Sequence, residues 1–214
     1  MKACKGTECL KVELIAYSLP QEGNVDKLVA ESGAISHAPQ FRELNDERVK
    51  KLIALLKKLG HESVFEHACF TFRVEGISRV CTHQLVRHRL ASYTQQSQRY
   101  VKLKNPTFIV PDTIASSEFY DDYINVLTQA AELYRKMVEG GIRKEDARFV
   151  FPQSVETKII ITMNARELRH FLELRCDKSA QWEIRALAEK MLSLAYEVAP
   201  LLFDDFYEKY ILNK

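Results

Sequence analysis

The spacing of apolar residues changes period several times along this chain, and each change predicts an element. Residues 10–17 alternate apolar and polar positions and read as a strand. Residues 24–32 read as a short helix. Residues 47–59 form an amphipathic helix, with Val49, Leu52, Ile53, Leu55, Leu56 and Leu59 on its apolar side and Gly60 at its end. A turn dense in polar groups comes next, from His61 through Glu66 to His67. Residues 69–74 read as a strand. Residues 77–87 return to helical spacing, with Ile77, Val80, Cys81 and Leu85 apolar. There Gln84, Arg87 and His88 fall at i, i+3 and i+4, which puts them on one helix face.

Residues 93–101 read as extended, and residues 107–110 as a short strand ended by Pro111. A long helix is expected over 116–139, closed by Gly140 and Gly141. A short helical piece at 144–149 stops before Pro152. A strand at 155–163 precedes two helices, 164–175 and 180–198, and the tail 203–211 is aromatic and polar. No repeat or low-complexity linker divides the chain, so one domain over 1–214 is expected. Strands and helices mix without strict β-α-β alternation. The expected class is therefore α+β (mixed α/β), a central, largely antiparallel sheet flanked by helices.

Charge changes this picture locally. The formal net charge is only +2, and 46% of residues are hydrophobic, enough for a core. Yet residues 76–111 contain no Asp or Glu, while holding Arg79, Arg87, Arg89, Arg99, Lys102 and Lys104. Guanidinium groups with no acid nearby in sequence suit a ligand that brings negative charge, and phosphate matches the planar fork. No apolar run reaches membrane-spanning length, and residues 1–6 lack the apolar core of a signal peptide. No membrane association is expected, and the cytoplasm is the default location. The five cysteines, at 4, 9, 69, 81 and 176, form no C-x-x-C pair and are odd in number. They read as thiols, not as a disulfide framework or a zinc site.

The helix at 164–175 carries further chemistry. Asn164 and Glu167 have capping-box spacing. Leu168, Phe171 and Leu172 make the apolar stripe, and Arg175 falls on the same side. A core-facing arginine must be paired. A protein carboxylate or a ligand oxygen would each serve. Arg166 and His170 lie at i, i+4 on the adjacent face. His61 and His67 have the wrong spacing for a helical metal pair, and no metal is expected. Ser97 has no G-x-S-x-G elbow and reads as a hydrogen-bond donor rather than a nucleophile. Without a P-loop or G-x-G-x-x-G, arginine and amide side chains must hold any nucleotide phosphate. A rival reading from these residues is an Arg/Tyr-rich nucleic-acid-binding module using Tyr93 and Tyr100. The near-neutral charge and the lack of a recognisable motif oppose it, so no nucleic-acid partner is expected.

Arg87, His88 and Arg89 are followed by seven residues and then Ser97, and the pattern continues through Gln98, Arg99 and Tyr100. A turn of the form H-x-S-x-F-E-H (His61, Ser63, Phe65, Glu66, His67) precedes it. Blocks around Asn164–Arg175 and from Ala180 to Arg185 lie downstream. Together these resemble the flavin-dependent thymidylate synthase family over roughly residues 10–205. The resemblance implies a methyltransferase converting dUMP to dTMP, with methylenetetrahydrofolate as one-carbon donor, NADPH as reductant and FAD as hydride relay. It implies a homotetramer whose active sites each draw on several subunits. The dUMP site would comprise Gln84, Arg87, Gln95, Gln96, Ser97, Gln98, Arg99, Arg148 and Arg175, with Arg175 catalytic beside the uracil. FAD would meet His61, Ser63, Arg87, His88, Arg89, Gln95, Asn164, Arg166 and His170. Gln95 stands where some members carry Glu, Ser179 where many carry His, and His170 where some carry Asn.

Overall fold

Short capped elements, each ended by an identifiable residue, build the chain. The computed structural model describes residues 1–37 and 43–213. Strand β1 (Lys2–Lys5), which periodicity did not announce, leads through a turn to β2 (Lys11–Tyr17). Helix α1 (Val25–Ala34) starts where Asn24 accepts from Lys27 N at 2.9 Å, and α2 (Asp46–Leu59) where Asn45 accepts from Arg48 N at 3.0 Å. Asp46 and Glu47 sit in the first turn of α2 and Lys57 and Lys58 in its last, matching the helix dipole. Gly60 closes it in the left-handed region, with φ 67°. Val49, Ile53 and Leu56 are buried, whereas Leu55 and Leu59 of the expected apolar side are exposed.

The polar turn at 61–67 is a 3-10 helix, Glu62–His67, pinned by buried Phe65. Strand β3 (Cys69–Ser78) runs four residues past its expected end. Ser78 then caps α3 (Arg79–Leu85), accepting from Cys81 N at 3.1 Å, so Ile77 belongs to the strand. The helix stops at Leu85, and Arg87 N turns back to Gln84 O at 3.4 Å. The single helical face expected for Gln84, Arg87 and His88 therefore does not form.

Strand β4 (Ala91–Gln95) is shorter than the extended run expected, because residues 98–100 turn back and Val101 N donates to Ser97 O at 3.0 Å. After β5 (Thr107–Val110) comes an unexpected single turn, α4 (Asp112–Ala115), and the long helix expected from 116 starts four residues later as α5 (Tyr120–Glu139). Then come α6 (Lys144–Ala147), β6 (Glu156–Asn164), α7 (Ala165–Arg175), α8 (Trp182–Val198) and α9 (Pro200–Tyr207). The tail is thus helical. Four strands form an antiparallel sheet in the order β2-β3-β6-β4, so the class is mixed α/β as expected. Among the described residues no helix is long and apolar enough to cross a membrane.

The chain forms two compact units. The first comprises Met1–Lys11, Val74–Arg87 and Tyr93–Ile160. In it β1 pairs in parallel with β5, Lys2 opposite Thr107 and Lys5 opposite Val110. Phe108, Val110, Leu127 and Val155 make its buried cluster, onto which Tyr123, Ile124 and Phe151 pack. Cys4 and Cys9 are joined by a disulfide, which corrects the expectation that all five cysteines are thiols. The turn after β1, with Gly6 at φ 48°, brings their Cα atoms to 5.9 Å, within bridging range without any C-x-x-C spacing. Cys69, Cys81 and Cys176 remain thiols, with Cys69 exposed.

The second unit comprises Val12–Arg73, His88–Ser92 and Ile161–Lys214. Here α1 packs on α2, and α8 on α7 and α9. Buried Phe70 meets Phe203 edge-on, with centroids 5.5 Å apart. Each such fully buried side chain contributes about 1.5–3 kcal/mol. Asp26, 2% exposed, accepts from Leu201 N and Leu202 N at 3.2 Å each and so caps α9. Burial raises its carboxyl to about 6 despite those bonds.

Two glycines separate conformation from space. Both take positive φ, but a Cβ on Gly60 would meet nothing within 4 Å, whereas one on Gly76 would lie 1.9 Å from Cys9 O. Gly60→Ala should cost about 1–2 kcal/mol, the left-handed penalty alone. Gly76→Ala should cost about 3 kcal/mol or more, because backbone must move. Urea melts of the two variants check the difference.

Candidate active site

In the first unit α3 sets the stage. Arg79 is its first residue, half-buried, with NH2 3.5 Å from Gln96 O. Its Nε is buried with no hydrogen-bond partner among the described residues, as is Gln98 Nε2. Burial, and after it the neighbouring Arg148, lower the Arg79 pKa. Arg148 itself is anchored by Nε donating to Glu145 O at 3.1 Å. A guanidinium with a desolvated orphan N–H, within electrostatic reach of a second, makes a place that an anion would complete. Among the described residues none of Arg79, Arg87, Arg89 and Arg148 forms an ion pair with an acid.

Arg99 does, and the idea that this basic segment is wholly uncompensated needs correcting. Its Nε lies 3.1 Å from Glu145 Oε2, and Glu145 also pairs with Arg143. The acid comes from α6, 46 positions downstream, and is invisible in the local sequence. Ser97 Oγ accepts from Arg99 N at 3.2 Å and so shapes the turn that presents Arg99.

Gln95 is held by two buried threonines. Its Nε2 lies 3.2 Å from Thr82 Oγ1 and 3.2 Å from Thr157 Oγ1. Thr82 already donates its own proton to Arg79 O at 3.0 Å. The hydroxyl can then only accept, so position 95 must donate: an amide fits and a carboxylate does not. The glutamine at position 95 thus suits the accepting hydroxyl of Thr82.

In the second unit α7 presents the chemistry. Asn164 caps it, accepting from Glu167 N at 2.9 Å. His88 is buried, 5% exposed, and lies along the helix face. Its Nδ1 is 3.5 Å from Glu167 Oε1, its ring meets Phe171 edge-on at 5.0 Å, and its Nε2 accepts from Arg175 Nε at 3.1 Å. Among the described residues the partner of Arg175 Nε is an imidazole, not the protein carboxylate weighed from sequence. Burial first, then Arg175 and His170, lower the His88 pKa to about 4, and burial raises that of Glu167.

Arg166 reaches Glu62 Oε2 at 3.3 Å and Glu66 Oε1 at 2.6 Å. A cleft of about 580 Å³ bordered by Glu62, Arg166, Glu167 and His170 and another of about 480 Å³ bordered by His61, Ser63 and Arg166 share Arg166. The donor set of guanidinium, imidazoles and hydroxyl fits a flavin dinucleotide, with the guanidinium for pyrophosphate and the others for polar ring edges. His61, Ser63, Arg89, Arg166 and His170 are exposed.

Of the nucleotide set, Gln84, Arg87, Gln95, Gln96, Ser97, Gln98, Arg99 and Arg148 fall in the first unit and Arg175 in the second. Of the flavin set, His61, Ser63, His88, Arg89, Asn164, Arg166 and His170 fall in the second, with Arg87 and Gln95 in the first. Arg79 and Glu167 are functional candidates that the sequence reading misses. Arg79 stands in the acid-free window, and Glu167 lies at i−4 and i−8 from Phe171 and Arg175, a spacing that could have found it.

Residues 13–201 match the family model described as thymidylate synthase complementing protein, and the chain belongs to that family. The flavin-dependent thymidylate synthase of Geobacter sulfurreducens is 47% identical over 200 residues, covering 92% of this chain and 86% of its own. That of Pyrococcus furiosus is 51% identical over 157 residues, covering 71% of this chain and 64% of its own, so the match spans under two thirds of that relative. A crystal structure of the UMP/dUMP methylase PolB from Streptomyces cacaoi, bound with 5-Br dUMP, is similar at a TM-score of 0.83 and 26% identity, covering 98% of both chains.

The low pKa of His88 has a stability consequence. In the unfolded chain the imidazole titrates near its ordinary value of 6.5, and burial and the neighbouring Arg175 lower it to about 4 in the folded protein. Between these values the unfolded state binds a proton that the folded state refuses. Stability is therefore unaffected at pH 8 and falls as pH drops below 6.5, by about 2 kcal/mol at pH 5. His88→Gln should remove this contribution, as urea melts at pH 7.5 and 5 would show.

Proposed function

We propose that the chain is a thymidylate synthase that methylates dUMP to dTMP, with methylenetetrahydrofolate as carbon donor and NADPH as reductant. The buried, unpartnered Arg79 Nε beside Arg148 carries the reading, because an orphan guanidinium N–H next to a second cation calls for an anionic ligand. Family membership and the similarity to a methylase bound with 5-Br dUMP support dUMP as that ligand.

On this reading the dUMP phosphate is held by Arg79, Arg148 and Arg99, with Gln98 and Ser97 adding neutral donors. Gln84, Arg87, Gln95 and Gln96 complete the nucleotide set. Arg175 faces the uracil and favours negative charge on the ring, an electrostatic role suited to a fixed guanidinium. Bound FAD supplies the redox chemistry. His61, Ser63, Arg89, Arg166 and His170 hold and orient it, while His88 and Asn164 set the geometry of α7 beneath. No enzymic thiol is required, and Ser97 positions substrate.

The reading includes a homotetramer in the cytoplasm. Phe119, Val126 and Leu133 recur every seven residues along α5 and its N-cap and are 64%, 58% and 48% exposed. Exposed apolar residues aligned on one side of α5 support self-association.

The test is anaerobic flavin absorbance of FAD-supplemented protein on adding NADPH, with and without dUMP. Bleaching that dUMP accelerates is expected. Arg79→Ala should retain flavin yet need about 10–100-fold more dUMP for the same acceleration, the loss of one charge-assisted bond. Bleaching indifferent to dUMP would contradict the reading and favour the nucleic-acid alternative.

A further inference from the structure

Arg175 is the residue that the proposed function asks to be placed most closely, and three contacts on one face of α7 bear on its placement. Glu167, Phe171 and Arg175 stand four residues apart, so their side chains line up along the helix. The His88 ring lies against all three. Its Nε2 accepts from Arg175 Nε at 3.1 Å, its edge meets Phe171 at 5.0 Å, and its Nδ1 faces Glu167 Oε1 at 3.5 Å. The His88 and Glu167 side chains are 3% and 5% exposed, and Asn164 fixes the Glu167 backbone by capping α7.

The chemistry of the partners fixes the imidazole. Arg175 can only donate, so Nε2 must be bare. A neutral ring then carries its proton on Nδ1, the nitrogen 3.5 Å from Glu167 Oε1. The carboxyl beside that nitrogen favours the tautomer that leaves Nε2 able to accept. With Nε committed to His88, the terminal nitrogens of the guanidinium keep one orientation.

We propose that Glu167 and His88 are positioning residues for Arg175, a buried carboxyl–imidazole–guanidinium brace that aims its head group at the pyrimidine. This rests on the reading of Arg175 as the residue facing the uracil. The brace uses none of the exposed flavin-set side chains, so its loss should act on turnover before flavin retention.

Two measurements on the FAD-loaded protein test it. Nitrogen NMR of ¹⁵N-histidine-labelled wild type reports the brace without any assay. His88 is expected as the Nδ1–H tautomer at neutral pH, and an Nε2–H tautomer or an imidazolium would overturn the proposal. Kinetics then report its purpose. Glu167→Leu should lower kcat about 10-fold or more, as misplacement of a reacting group does. Glu167→Gln, whose Oε1 still accepts, should keep most of the activity. In an Arg175→Lys background Glu167→Leu should have little further effect. Glu167→Leu slowing that background by the same factor as wild type would overturn the proposal. So would Glu167→Gln being as slow as Glu167→Leu. If Glu167→Leu fails to fold, the tautomer and Glu167→Gln still decide. Full turnover in Arg175→Ala would sink the active-site reading and leave the brace nothing to position. A correct tautomer in that case would separate the failure from one of the brace itself.

Discussion

A guanidinium leaves water only where an acceptor replaces it. Much of this structure depends on that constraint. Arg169 meets Asp205 through two bonds of 2.8 and 2.6 Å and lies over Phe206. Arg166 takes two glutamates from the 3-10 segment, and Arg99 takes Glu145. Arg175 takes a neutral imidazole, which satisfies its N–H without cancelling its charge. Arg79 has a buried Nε that no described residue meets, with Arg148 as neighbour. Arg169 thus commits its charge to the fold, Arg79 keeps its charge for a ligand, and Arg99 and Arg166 are held in place by acids at the edges of the proposed sites.

That division gives the two units different work. The first gathers the amides and the unpaired arginines expected at the nucleotide, with Thr82 and Gln95 locking the end of β4 to the middle of α3. The second gathers the imidazoles and Arg166 along the clefts expected for the flavin, and it braces Arg175 from beneath. The low pKa of His88 belongs to the same logic. An imidazolium there would set two cations against each other in a buried place, so the ring stays neutral and accepts.

Much of this is legible in the sequence where one residue does one local job. Asn24, Asn45 and Asn164 mark helix starts, and Gly60 marks a helix end, because capping depends on neighbours within one turn. Longer-range partners are not legible. Glu145 answering Arg99, His88 answering Arg175 and the bridging of Cys4 to Cys9 arise when turns and packing bring separate segments together. The helix expected at 77–87 is drawn too long because Ile77 continues a buried strand and Ser78 caps α3, and apolar spacing alone does not distinguish strand end from helix start. Of the candidate site, the basic segment is visible by its charge. Arg79 is visible in that window but not singled out from its neighbours, because its importance lies in a missing partner for its buried Nε, which only the folded structure reveals.

The most direct measurement of this account compares dUMP with deoxyuridine in calorimetric titrations of the FAD-loaded protein. If unpaired arginines are kept for a phosphate, dUMP binds and deoxyuridine binds at least about 100-fold more weakly, the loss of two charge-assisted bonds. Equal binding of the two would contradict it, because the guanidiniums that no described acid neutralises would then have no anion to meet.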